Sequence, residues 1–492
     1  MIVMTTSGAV RGRSCTGGGA VFLGVPYAAA PTGRDRFTAP RPHAGWTGVR
    51  DATVPGPTAP QLARDLFGGL DMAPYFGPGW CRGADHLTVD VWAPARGHRP
   101  APVMVFVHGG GFVSGSTRAP LYDGGAFARD GVVLVTVNYR LGIPGFLSLP
   151  DAPDNRGLLD VLAALRWTAA NAANFGGDPG AVTLFGQSAG ATIVGGVLSD
   201  PRSAGLVRRA VMQSGSGTFT AAQAAIVTAA AGRALGVPAT AAALADVPDE
   251  RLVAAVPRLA GLDLRTPAGH DPLGGITPFG LVLPEPPAVT VAAGAARDVD
   301  LLIGANADEG ALYLAPLGLL PGTTGADLRA TAARFHDRPD DVVRAYRTAR
   351  PGATAADLRT AILGDGLFGA ATRRMAAAHA GRDQGKGATF GYRFGWRSDA
   401  LDGQLGASHV MELPFVFDVA GLAALHGSGA LLGTTAAPAD LARRTHAAWV
   451  RFAATGDPGW PAQGPGRRGV QQIGATWRFV DDPDPLEVAA WS

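Results

Sequence analysis

Short runs of β-branched and aliphatic residues alternate along the chain with longer stretches whose apolar positions recur at helical spacing. Residues 103–107 read as a strand buried on both faces, running directly into His108-Gly109-Gly110-Gly111-Phe112. A second strand, 132–137, ends in Asn138-Tyr139-Arg140-Leu141-Gly142. Between 158 and 175, Leu159, Leu162, Leu165 and Trp167 repeat as one side of a helix, closed by Gly176-Gly177. Residues 182–185 form a third strand, with an Ala-rich helix over 189–198 behind it. Residues 210–212, 301–303 and 390–394 are further short strands, and a final pair falls near 477–480. This alternation predicts an α/β protein with a mostly parallel central sheet and helices on both faces. Two segments, roughly 218–290 and 311–388, are Ala-rich and helical without strand patterning. We read them as helical insertions forming a cap or lid. No linker and no fixed repeat divides the chain, so 1–492 is expected to be a single catalytic domain.

Composition narrows the function classes. Apolar types make up 47% of the 492 residues and charged types 17%, which excludes a disordered chain. No stretch reaches the ~18 consecutive apolar residues of a spanning helix. Forty-two basic and 40 acidic residues leave a net charge of +2 with no like-charge block, so neither nucleic acid nor a membrane surface is an expected partner. The two cysteines, Cys15 and Cys81, make no disulfide framework and have no metal-ligand company. The opening residues MIVMTTSGAVRGR lack the apolar core of a secretory signal, and a cytoplasmic location is the expectation.

The sharpest chemical signal is Gly186-Gln187-Ser188-Ala189-Gly190, the only G-x-S-x-G in the chain. It lies between a predicted strand and a predicted helix, the context in which a nucleophile elbow lifts a serine hydroxyl clear of the backbone. A hydroxyl attacks only when a base takes its proton, and that base needs a carboxylate to orient it. With the chain order Ser, acid, His, five histidines beyond residue 309 compete. His379 and His446 sit in helical patterns, His336 in a polar insert, and His426 after a helical-looking run. His409, in a loop shortly after the 390–394 strand, is best placed for the base. The acid falls in Gly304-Ala305-Asn306-Ala307-Asp308-Glu309-Gly310, where position alone leaves Asp308 and Glu309 equal. The consecutive glycines after His108 let backbone N–H groups close on a substrate oxygen, with the Ala189 amide as a further donor. Phosphate binding by the same loop would want a Walker lysine or a G-x-G-x-x-G opening a helix, and neither follows.

Over nearly its whole length the chain resembles the bacterial type-B carboxylesterases of the carboxylesterase/cholinesterase family. GAVRG, FLGVPYAAAPTGRDRF, LTVDVWAP, the HGGGF loop, NYRLG, NRGLLD, FGGDPGAVTLFGQSAGA, VMQSGS, NADEG, ELPFVF and FAATGDPGWP follow in family order. The resemblance implies an α/β-hydrolase fold, Ser188 as nucleophile, Glu309 rather than Asp308 as acid, and His409 as base. It implies Gly110, Gly111 and Ala189 as the oxyanion hole, with Ser214 and Glu412 supporting the triad and no cofactor or metal. Where the family has the cysteines of an N-terminal disulfide and a glutamate beside them, this chain has Ala59 and Ala84-Asp85-His86-Leu87. The lost glutamate leaves Asp160 as the expected partner of Arg140. The usual Glu before the nucleophile is Gln187, and Val410 replaces a frequent Gly after the base.

The expected activity is hydrolysis of small to medium neutral carboxylic esters through an acyl-enzyme. Another acyl bond (amide, carbonate, thioester or lactone) on the same triad is the alternative, and a non-catalytic recognition module is a remote one. Residues 66–80 and the insertions are expected to wall the site. Phe67, Leu70, Met72, Tyr75, Phe76 and Phe112 are candidates for an apolar lining, with ordinary packing as their competing role. With Gln187 supplying no charge, choline esters are expected to be poor substrates. The partner is a small-molecule ester, and the protein is expected to be a monomer or small homo-oligomer.

Overall fold

The computed structural model describes residues 1–491 except 16, 96, 98, 268, 383–384, 465 and 482. An eleven-stranded sheet organises it. In spatial order its strands are Arg478–Val480, Val470–Ile473, Thr389–Phe394, Asp300–Asn306, Arg209–Gln213, Gly177–Gln187, Ala101–Val107, Val133–Val137, Thr88–Ala93, Ala20–Pro26 and Arg13–Ser14. Strands from Val470–Ile473 to Val133–Val137 are parallel, and antiparallel pairs close both edges. A small separate sheet pairs Ile2–Thr5, Gly8–Arg11 and Val49–Asp51.

Central strands of a sheet covered on both faces are apolar throughout, and successive side chains go to opposite cores. Val103, Val105 and Val107 pack into one core with the helices Arg156–Asn171 and Ala189–Ser199, whereas Met104 and Phe106 enter the other. That second core also takes Trp449 and Phe452 of the helix Leu441–Thr455. Helices from Ala221–Leu235 to Pro287–Ala292 lie between the strands Arg209–Gln213 and Asp300–Asn306, and helices from Ala311–Leu314 to Ala370–Ala380 lie between Asp300–Asn306 and Thr389–Phe394. The second group carries its own small core, in which Leu328, Val342, Tyr346 and Ile362 hold three consecutive helices together. An insertion with a core of its own can sit over the sheet as a wall.

Register fixes where chemistry can occur. Gly186 lies opposite Val107, Gln187 opposite Gln213, and Gln213 opposite Gly304. Four neighbouring strands therefore finish nearly level, and the loops leaving their carboxyl ends converge, where open α/β sheets bind ligands. Beside this edge Arg140 and Asp160 form the expected ion pair, fully buried, at 2.7 and 2.9 Å. Arg140 Nη1 donates to the carbonyls of Arg36 and Thr38, so four of the five guanidinium N–H groups are paired without the glutamate that Ala84 replaces.

Candidate active site

Ser188 leaves its strand at φ 57° and ψ −125°, a backbone that β-carbon-bearing residues rarely adopt. Both flanking glycines are required by space. A Cβ on Gly186 would stand 2.6 Å from the Gly190 backbone, and one on Gly190 would stand 2.0 Å from the Val107 carbonyl oxygen. The turn can close only because neither exists. The Ser188 N–H donates to the Gln213 carbonyl at 2.9 Å, tying the elbow to the next strand.

The neighbouring carboxylates part company. Asp308 turns outward to Arg397 and to the Ala407 N–H. Glu309 turns inward, where its Oε2 accepts from His409 Nδ1 at 2.5 Å. Its Oε1 accepts from the Ser214 hydroxyl at 2.5 Å and from the Asn306 N–H at 2.6 Å. Because an ionised carboxylate only accepts, Nδ1 carries the proton and Nε2 is left as the acceptor. Glu412 lies one bond further out. It accepts from the Asn306 amide at 2.6 Å and from the Gln213 amide at 3.0 Å, and burial, aided by the nearby Glu309 charge, raises its pKa. Asn306 thus joins the two glutamates, a role the sequence reading did not assign.

Ser188 and His409 line one cavity of about 320 Å³. Among the described residues no hydrogen bond joins the Ser188 hydroxyl to the imidazole. His409 Nε2 instead accepts from the Gln187 side-chain amide at 3.2 Å, while the Gln187 carbonyl accepts from the Tyr75 hydroxyl at 2.8 Å. Catalytic hydrogen bonds are often long or misaligned without substrate. For proton transfer, Gln187 must yield the lone pair to Ser188. Phe368 stacks face to face on the imidazole, with centroids 4.1 Å apart and planes 10° apart. It projects from the π-helical turn Asp365–Gly369, a local widening of the helix that often marks functional positions.

Gly110 and Gly111 have φ of 110° and 62°. A Cβ on Gly110 would meet the Ser114 carbonyl at 2.0 Å. The Ala189 amide opens the helix Ala189–Ser199, where first-turn N–H groups have no intrahelical acceptor. All three residues line the cavity with Ser188. The Thr277 hydroxyl donates to the Gly111 carbonyl at 2.6 Å, fastening the first insertion to this loop.

Of the residues expected in the lining, Phe67, Met72, Tyr75, Phe76 and Phe112 are there. Leu70 is not. It is fully buried in the core beneath the strand pair Leu66–Phe67 and Leu70–Asp71, so its side chain serves packing. Leu273, Ile276, Leu314 and Leu367 from the insertions add apolar surface, and Arg64, Arg334 and Arg359 add charge that the sequence reading did not single out. Among the described residues no cluster of His, Cys, Asp or Glu could hold a metal ion, and no helix is long and apolar enough to cross a membrane.

The profile of the Carboxylesterase family matches residues 1–478. Phenmedipham hydrolase of Pseudarthrobacter oxydans is 37% identical over 93% of this chain and 90% of its own length. Para-nitrobenzyl esterase of Bacillus subtilis (strain 168) is 34% identical over 98% of this chain and 96% of its own. Among solved structures, a thermophilic PNB esterase superposes with a TM-score of 0.84 at 32% identity, covering all of both chains. The Geobacillus stearothermophilus carboxylesterase does so at 0.82 and 33%, again over all of both. Family order in the sequence, strand order in the sheet and likeness across the full length agree: the chain belongs to the carboxylesterase family and has the α/β-hydrolase fold.

Proposed function

We propose that this carboxylesterase is a serine hydrolase that cleaves small to medium carboxylic esters through an acyl-enzyme on Ser188. The observation that carries the reading is one cavity lined by a serine on a strained elbow, an imidazole hydrogen-bonded to a buried glutamate, and Gly110, Gly111 and Ala189, whose amides are available as donors. Ser188 Oγ attacks the ester carbonyl while His409 Nε2 takes its proton. Glu309 holds the ring and stabilises the imidazolium, and the N–H groups of Gly110, Gly111 and Ala189 bind the oxyanion. Collapse of the tetrahedral intermediate breaks the bond to the alcohol, which leaves with the proton from His409. Water, deprotonated by the same base, then cleaves the acyl-enzyme and restores Ser188.

The lining suits neutral ester substituents of modest size, with Leu314, Leu367, Phe67 and Met72 among its apolar members. Choline esters fit poorly, because Gln187 is neutral and no carboxylate lines the cavity. Turnover of p-nitrophenyl butyrate is the test. Ser188→Ala should abolish it, and an organophosphate should label the wild-type protein at Ser188 alone. Undiminished turnover by the alanine variant would falsify the assignment.

A further inference from the structure

The catalytic cavity carries charge of one sign. Arg64, Arg334 and Arg359 line it, and no aspartate or glutamate does. They come from three separated parts of the chain. Arg64 precedes the strand Leu66–Phe67, Arg334 follows the helix Gly325–Ala333, and Arg359 lies in the helix Ala355–Gly364. Among the described residues none of the three forms an ion pair. Arg64 has no hydrogen-bond partner there either; its guanidinium lies 5.3 Å from the centre of the Phe76 ring, and burial lowers its pKa. Arg359 donates to the Leu319 carbonyl at 2.6 Å, and its Nε is buried without a partner. Asp271 lies close enough to attract Arg334, and Arg359 lies close enough to oppose it.

Asp271 and Asp327 attract Arg334 and Arg359 through charge at a distance, but their hydrogen bonds go to their own loop and helix cap. Asp271 accepts from the N–H groups of Leu273 and Gly275 at 2.8 and 2.6 Å. Asp327 accepts from Thr324 in the cap of its helix at 2.7 Å. Arg64, partly desolvated and without a paired carboxylate, is unfavourable by itself, and an arriving anion relieves that penalty. The planar arginine fork suits a carboxylate best. The same cavity also has apolar walls, to which Phe67, Leu314 and Leu367 contribute. A ligand that fits both features has an ester at one end, an apolar spacer, and a negative charge at the other.

We propose that the site selects esters bearing a second, free carboxylate: hemiesters of dicarboxylic acids, or acyl esters of hydroxy acids. This deepens the ester-hydrolase reading and rests on it for turnover. The carboxylate takes no part in the chemistry. It binds Arg64 and Arg359 and holds the ester over Ser188, while neutral esters remain weaker substrates. The cavity's positive field also raises the capture rate in a salt-dependent way.

Matched pairs test the idea. On the acyl side, monomethyl adipate is compared with the corresponding monomethyl ester amide. On the alcohol side, 4-acetoxybenzoate is compared with 4-acetoxybenzamide. In at least one pair kcat/KM should favour the carboxylate by ~10-fold or more, the scale of a charge-assisted hydrogen bond. That ratio should fall several-fold in Arg64→Gln or Arg359→Gln and again when salt rises from about 0.05 to about 0.5 M. A parallel measurement needs no catalysis: calorimetry on the wild-type protein should show 4-propylbenzoate binding ~10-fold more tightly than 4-propylbenzamide. Amides equal to or better than carboxylates in both pairs, or equal calorimetric affinities, would overturn the proposal and leave the esterase intact. Failure to hydrolyse p-nitrophenyl butyrate would instead sink the esterase reading, with calorimetry still deciding the anion site.

Discussion

Replacing Gly190 by alanine tests how the nucleophile and the oxyanion loop are held together. Gly190 is the second residue of the helix Ala189–Ser199 and its φ is not positive, so a methyl group there probes space alone. The added Cβ would stand 2.0 Å from the Val107 carbonyl oxygen and 2.8 Å from that of His108. Ordinary carbon–oxygen contact is near ~3.5 Å, so the helix and the strand end must part by roughly 1.5 Å. Val107 ends the strand that leads into Gly110 and Gly111, while Ala189 begins the helix. The same displacement therefore separates the amides proposed to meet one oxygen. A misplacement of ~1 Å costs ~100-fold in rate, and losing one donor costs ~100- to 1,000-fold. Gly190→Ala should accordingly lower kcat for p-nitrophenyl butyrate by ~100-fold or more, with KM changing much less. Overpacking should cost ~1–3 kcal/mol, read from urea unfolding. Gly352→Ala is the control, since a Cβ there meets nothing within 4 Å. A Gly190→Ala protein with undiminished kcat would refute the idea that this close approach sets the donor geometry.

Three further outcomes follow from other parts of the molecule. Arg140→Met leaves Asp160 buried without its partner and should destabilise the fold by ~3–5 kcal/mol in urea titration; a change below ~1 kcal/mol would mean the pair is not structurally important. Burial lowers the pKa values of His86 and His108 to about 4 and of His379 to about 3, whereas burial raises that of Asp90 to about 6. The histidines bind protons mainly in the unfolded state as pH falls through ~6.5, and Asp90 binds one mainly in the folded state below ~6. Near pH 5 these four groups thus leave the unfolded chain with an excess of about two protons, and their contribution should lower stability by roughly 2–3 kcal/mol per pH unit there; a flat urea midpoint between pH 7 and pH 5 would contradict this. Phe368→Ala removes the ring stacked on His409 and should reduce kcat several-fold more than it raises KM, because the stack orients the base rather than binding the ester; a pure KM effect would place Phe368 in substrate binding instead.

Legibility in the sequence follows the range over which each feature is determined. Strands such as Ala101–Val107 are readable because burial on both faces forces a continuous apolar run. Thr88–Ala93 is harder, because its buried Asp90 breaks the pattern to accept from the Gly24 N–H at 2.6 Å across the sheet. The elbow is readable for a local reason: Gly186 and Gly190 flank the residue they make room for. His409 could be chosen by its position after a strand. Asp308 and Glu309 could not be separated by position, since successive residues share an address in the chain. Only the direction of each side chain separates them, one toward Arg397 and the other toward His409.

The features missed in the sequence share a cause. Phe368, Arg334 and Arg359 lie within the second insertion, where helical spacing reveals an inner face but not what that face will meet. Arg64 lies in a loop whose path depends on both insertions closing over the sheet. Their common destination exists only once helices with their own core are set against the catalytic edge. Strand-end chemistry is thus written locally and can be read from motif and order. The cavity lining is written between elements, and an arginine destined for it is indistinguishable, residue by residue, from one facing water. The charge of this cavity, rather than its triad, is therefore where the protein departs most from what its motifs alone convey.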